Sequence, residues 1–130
     1  MAHPNAERFL AGYQAFMTGD MEALRSEYFT DDIMWHAFGD GPLSGDFHGP
    51  DEVIALFGRT FEMSEGTFRV EVHDAVANDT HAVVLARVMA ERAGKRLDQR
   101  YTHVAHMRAG KLAESWIFSE DQAAVDAFWS

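Results

Sequence analysis

Cysteine is absent from this 130-residue chain, which removes disulfides, thiolate metal sites and thiol nucleophiles together. Basic charge is scarce: 11 Lys and Arg stand against 21 Asp and Glu, and the formal charge of −10 repels phosphate. Nucleic acid and anionic membrane surfaces are therefore poor partners. No apolar run approaches the roughly 20 residues a membrane span needs. The opening MAHPNAERFL also lacks the basic and apolar stretches of a signal peptide, so a cytoplasmic protein is the expectation. What is present is core material: 47% hydrophobic residues, with aromatic residues at 12% of the chain, suit one domain spanning residues 1–130.

Hydrophobic period divides the chain into two halves. Pro4 and Asn5 open a helix, with Asn5 as N-cap, and Phe9, Leu10, Tyr13, Phe16 and Met17 recur at helical spacing up to Gly19. Asp20 starts a shorter helix carrying Met21, Leu24 and Tyr28. The run IMWHAF has strand character, with Trp35 and His36 on opposite faces. The segment GDGPLSGDFHGP reads as a long irregular loop, a candidate pocket rim. Pro50, Asp51 and Glu52 then suit a helix start, followed by Val53, Ile54, Phe57 and Phe61.

From Thr67 the period changes to two. Four strands follow, separated by Asn78-Asp79, Gly94 and Ala109-Gly110, which are good turn residues. A short terminal helix, opened by a capping box of Ser119 with Gln122, completes the chain. Helices grouped at one end of an antiparallel meander define an α+β fold. A curved antiparallel sheet wrapped around helices makes a cone, and its open end is a natural pocket for a small apolar ligand.

Residues 95–121 hold the candidate site. Alternation puts Asp98, Arg100, Thr102 and His106 on one strand face, expected to line the cone's interior. An Arg held between carboxylates fixes their geometry and tunes their pKa, which makes Asp98 with Arg100 the leading pair. Asp121 is either a second acid or a first-turn residue favoured by the helix dipole. His36 is a candidate proton carrier near neutral pH, and Tyr13 a candidate donor. Trp35, Phe57, Phe61, Thr102 and His106 are candidate ligand contacts. His103 falls on the face opposite His106, and no three His or carboxylates show metal-ligand spacing, so neither metal nor cofactor is expected. Tyr101, Trp116 and Phe118 are expected on the outer face, which suggests a homodimer through the sheet.

The Gly19-Asp20 turn, Phe29-Thr30-Asp31-Asp32, the Gly-Pro-Leu-Ser-Gly loop, Gly49-Pro50 and the Arg108-Ala-Gly-Lys111 turn together resemble the nuclear transport factor 2-like superfamily, in its SnoaL-like, ketosteroid isomerase-related branch. The resemblance covers nearly the whole chain and implies a cystatin-like roll. Laid on the ketosteroid isomerase pattern of an Asp base with a Tyr and a protonated Asp, Tyr13 falls near the oxyanion Tyr. Ala37 and Thr102 occupy the positions of the two acids, which departs from that design. Limonene epoxide hydrolase, in the same superfamily, uses an Asp-Arg-Asp network; Asp98, Arg100 and Asp121 resemble it with Asp and Arg in reversed order. The resemblance thus implies binding of a small hydrophobic molecule, with cofactor-free acid/base isomerase or cyclase chemistry beside a carbonyl, a non-catalytic binding or dimerising module, or an epoxide hydrolase as alternatives.

Overall fold

The computed structural model describes residues 2–130. Helix α1, Pro4–Thr18, is capped two residues earlier than its sequence suggests. Pro4 takes the first turn, so His3 becomes the N-cap, its Nδ1 accepting from the Asn5 amide at 3.0 Å. The Asn5 side chain is thereby free to reach outward, and its Nδ2 donates to the carbonyls of Asn78 and Asp79, tying the helix start to a hairpin turn. Gly19, at φ 78°, ends α1 in the left-handed conformation that glycine adopts without strain. Helix α2, Met21–Ala23, runs on into a π-helical turn, Leu24–Tyr28.

Strand β1, Phe29–Ala37, is followed by β2, Gly45–His48, then α3, Gly49–Met63. Strand β2 lies inside the segment expected to be irregular; four residues that include Gly and Asp carry too little hydrophobic pattern to announce a strand. The remaining elements are β3 Arg69–Ala77, β4 His81–Arg92, β5 Lys95–Arg108, β6 Lys111–Ser119 and α4 Gln122–Trp129. Asp121, and not Ser119, caps α4 by accepting from the Ala124 amide at 3.1 Å.

The six strands form one curved sheet in the order β2-β1-β6-β5-β4-β3. All neighbours are antiparallel except β1 and β6, which pair in parallel, so the sheet is mixed. That pairing follows from topology: β2 and α3 separate β1 from the meander, leaving it free to join the β6 edge. Helices α1 and α3 lie in the concave side, where Phe9, Ile33, Trp35, Val53, Leu56, Phe57, Val84 and Leu97 are buried. Each such side chain contributes about 1.5–3 kcal/mol by leaving water. No helix among the described residues is long and apolar enough to cross a membrane.

Candidate functional site

Strand β5 has a clear inside and outside. Leu97, Gln99, Tyr101, His103, Ala105 and Met107 are buried, while Arg96, Asp98, Arg100, His106 and Arg108 are exposed. The alternation is as expected, but its sense is reversed. Asp98, Arg100, Thr102 and His106 face outward, and Tyr101 and His103 face the cavity. A strand that carries charge on every second position turns that face to water, because desolvating the charges costs more than packing returns.

The cavity measures about 210 Å³. For scale, a cavity of about 150 Å³ accommodates benzene. Its walls are aromatic and aliphatic, with Phe9, Phe16, Trp35, Phe57, Val88 and Leu97 prominent. Trp35 and Phe57, two of the expected ligand contacts, are in this lining. Phe61 lies one layer further out, stacked on Phe16 with ring centres 5.2 Å apart. Phe38, Leu43 and Ser44 from the β1–β2 turn and Gln122, Val125 and Asp126 from α4 complete the lining, and Phe38 is its one exposed residue, which places a mouth at this end.

One polar cluster stands in this lining. Tyr13 Oη lies 2.7 Å from His103 Nδ1 and 3.0 Å from Tyr101 Oη, so a hydrogen-bonded chain links α1 to β5. His103 is 2% exposed, and its ring meets Phe9 and Trp35 edge-on at 4.6 and 4.9 Å. Its Nε2 is buried without a hydrogen-bond partner in the protein. Burial holds the imidazole neutral, with its pKa lowered to about 3. Burial likewise raises the Tyr13 phenol well above its ordinary value, reinforced by Tyr101, and raises Tyr101 too. The cluster is thus uncharged across the physiological range, and both phenols keep their protons.

The other expected site residues lie elsewhere. Asp98 is gripped by Arg87 on the neighbouring strand through two bonds of 2.7 Å, and these lower its pKa; Arg100 reaches Glu120 at 3.7 Å. The Asp-Arg-Asp network is therefore not assembled: Asp98 and Arg100 point to solvent and Asp121 caps α4. His36 also faces outward. Its Nδ1 is 2.6 Å from Asp46 on β2 and its Nε2 2.7 Å from Glu114 on β6, while its ring stacks on Trp116. His106 packs edge-on against Trp116 on the same face, with its Nδ1 4.0 Å from Glu114.

Partial burial opposes the charged form of His36, but hydrogen bonds from both ring nitrogens to Asp46 and Glu114 outweigh it and raise the pKa above the ordinary 6.5. The stabilising share of this clamp is complete below 6.5, where folded and unfolded chains are both protonated, and is lost as pH rises through the folded-state value. The melting temperature should accordingly fall as pH rises above about 6.5, and His36→Gln should flatten that fall. Equal slopes in the two proteins would remove the clamp from the account.

A curved mixed sheet with helices in its concave side and a cavity between them define a cone of the nuclear transport factor 2-like kind. The chain belongs to the SnoaL-like domain family, whose model matches residues 6–115. It is 34% identical over 119 residues to the uncharacterised protein Rv0034 of Mycobacterium tuberculosis, covering 91% of this chain and 90% of that one. Among solved structures, Bal32a from a soil-derived mobile gene cassette is 34% identical at a TM-score of 0.93, covering 99% of this chain and 98% of Bal32a. A nuclear transport factor 2-like protein from Burkholderia xenovorans, 18% identical, shares the fold at a TM-score of 0.83 over 100% of this chain and 98% of its own.

Proposed function

We propose that the cavity binds a small, neutral, ring-containing molecule whose single polar group docks on the Tyr101–Tyr13–His103 chain. The observation that carries this reading is the buried hydrogen-bonded chain, with an unpartnered His103 Nε2, inside walls that are mainly apolar. Buried polar groups need partners, and a polar cluster that the fold leaves incomplete is a ready ligand contact. An anionic ligand is disfavoured, because neither neutral His103 nor two protonated phenols offset a buried negative charge.

The same geometry supports a second reading as chemistry. A ketone oxygen beside a phenol that keeps its proton is polarised, and Tyr13 hydrogen-bonded to His103 suits stabilisation of a developing enolate. Among the described residues Asp126, at the mouth, is the carboxylate that lines the cavity. In this reading Tyr13 and Tyr101 hold the carbonyl oxygen, and Asp126, in place of Asp98 or Asp121, would take the proton that leaves the neighbouring carbon.

The matched pair indane and 1-indanone separates these readings, with affinities measured by ligand-observed NMR. The ketone should bind about fivefold to tenfold more tightly, reflecting one net hydrogen bond of about 1 kcal/mol. Tyr101→Phe and Tyr13→Phe should each erase most of that preference. Equal affinity for the two compounds would sink the polar-docking reading, and no binding of either would sink the pocket itself. In deuterated buffer, enzyme-dependent exchange of the protons beside the indanone carbonyl would mark catalysis; binding without exchange would mark a carrier or sensor.

A further inference from the structure

Neither end of the Tyr101–Tyr13–His103 chain is anchored. Tyr13 Oη stands in the middle, 3.0 Å from Tyr101 Oη and 2.7 Å from His103 Nδ1, and among the described residues no backbone group, carboxylate or cation bonds to any of the three side chains. His103 Nε2, at the inner end, is buried without a partner. Tyr101, at the other end, lines the cavity. A backbone N–H only donates and a carboxylate only accepts, so one such group would order every proton in the chain behind it. Here each member does both: a phenol has one proton and two lone pairs, and neutral imidazole has one nitrogen of each kind. Ser115, paired with Ala105 on the same inner face, also has a buried, unpartnered Oγ, but a hydroxyl is ambivalent as well and fixes nothing.

Two proton orders therefore fit the same atomic positions. With the proton on Nδ1, His103 donates to Tyr13 Oη, both phenol protons are directed away from the ring, and Tyr101 presents an O–H to the cavity. With the proton on Nε2, Nδ1 accepts from Tyr13, Tyr13 Oη accepts from Tyr101, and Tyr101 presents a lone pair. Both orders are neutral, as burial requires of all three groups, so neither adds a buried charge. The open Nε2 position is unpaired in both, as a lone pair in one and an N–H in the other.

We propose that this chain takes its direction from the ligand, so that one position in the cavity binds ring compounds with an acceptor head, such as a ketone, and ring compounds with a donor head, such as a phenol or a ring N–H. The inference rests on the docking reading above and adds the class of head group to it. An acceptor selects the order with Nδ1 protonated, and a donor the order with Nε2 protonated. Between binding events the proton leaves one ring nitrogen to water and another arrives from water at the other nitrogen, so the imidazole stays neutral overall. A site of fixed polarity rejects the wrong head because a buried polar group is left unpaired. This chain has no fixed polarity to reject with, and selection falls to the apolar walls of a cavity of about 210 Å³, through the size and shape of the rings.

Two matched pairs test the heads separately: 1-indanone against indane for an acceptor, and indole against indene for a donor. Ligand-observed NMR gives the affinities, and proton–nitrogen correlation spectra of isotope-labelled protein show which ring nitrogen of His103 carries the proton. Indanone and indole should each bind about fivefold to tenfold more tightly than their hydrocarbon partners. His103 should be protonated on Nδ1 beside indanone and on Nε2 beside indole. Tyr13→Phe breaks the chain between head group and imidazole, so at saturating ligand His103 in that variant should keep one tautomer with either compound; a tautomer that still switches overturns the proposal. Preference for indanone with none for indole overturns it too and leaves the docking reading standing, since the chain then has a single polarity. Both preferences with an unchanged His103 tautomer also overturn it, because Tyr101 alone would then set the direction. Preference for neither head removes the docking reading and the proposal together.

Discussion

Tyr13→Phe should cost about 1–3 kcal/mol of stability, although it deletes a single oxygen. The hydroxyl is the hub of the buried chain, 2.7 Å from His103 Nδ1 and 3.0 Å from Tyr101 Oη. Without it, both neighbours are left buried and unpartnered, and that desolvation penalty exceeds the net worth of the bonds themselves. Removing the remaining polar groups as well should reverse most of the loss. A Tyr13→Phe, Tyr101→Phe, His103→Leu triple variant replaces the chain by apolar groups of similar shape and should return to within about 1 kcal/mol of the parent, or exceed it. Equilibrium denaturation measures both. The triple variant should also lose the preference for 1-indanone over indane, which would show that the chain is retained for its ligand at some expense of stability. A Tyr13→Phe cost below about 0.5 kcal/mol would mean that these groups exchange freely with water and that the cavity is wet.

The same variant has an acid signature. His103 titrates near 3 in the folded protein against 6.5 ordinarily, so between those values the unfolded chain binds the proton and the folded one resists it. Stability falls as pH falls through that window, by up to about 1.4 kcal/mol per unit. The triple variant should lose this limb. The signs at the two histidines are opposite: buried His103 weakens the fold toward acid, and carboxylate-clamped His36 weakens it toward alkali.

The fold is legible in the sequence because its signals are long and periodic. The stripe of Phe9, Tyr13 and Phe16, the turn glycines at Gly19, Gly94 and Gly110, and the two-residue alternation from Arg69 onward each rest on many residues agreeing. The site is less so, because alternation shows which residues share a face and leaves open which face is inside. For β5 the choice lies between Asp98, Arg100 and His106 on one side and Tyr101, His103 and Ala105 on the other, and chemical interest favours the charged set. The signal that decides is in the same strand: Leu97, Tyr101, Ala105 and Met107 are the more apolar set, and water claims the charges. His103 is lost with that choice, since it stands opposite His106. Its pairing with Tyr13 spans 90 residues and depends on how α1 crosses the sheet, which no local pattern encodes. The parallel β1–β6 pairing is likewise a non-local outcome, whereas β2 is a local hairpin partner of β1 whose four residues carry too little pattern to read.

Gly39→Ala should open the cavity. The β1–β2 turn closes over the mouth because α4 holds it: Asp126 Oδ2 accepts from the Asp40 amide at 3.1 Å, and Gln122 Nε2 donates to the Phe38 carbonyl at 3.1 Å and to Asp126 Oδ1 at 3.0 Å. Gly39 sits against this latch at φ 100°, where a Cβ would stand 2.2 Å from Asp126 Oδ1 and 2.6 Å from Gln122 Nε2. Alanine is thus opposed twice, by a backbone conformation costing about 1–3 kcal/mol and by a clash with the groups that hold the turn. The clashing atoms are the ends of the Asp126 and Gln122 side chains, so these give way first, and their hydrogen bonds to the turn go with them. Indanone should then dissociate severalfold faster, with stability reduced by about the strain. Gly41→Ala is the matched control: its Cβ would lie 3.6 Å from Asp126 Oδ1, an ordinary contact, and its φ lies outside the left-handed range. Stopped-flow dissociation and thermal melting should therefore separate the two alanines. If Gly39→Ala releases ligand no faster than Gly41→Ala, the turn does not govern access, and the path into the cavity must run elsewhere.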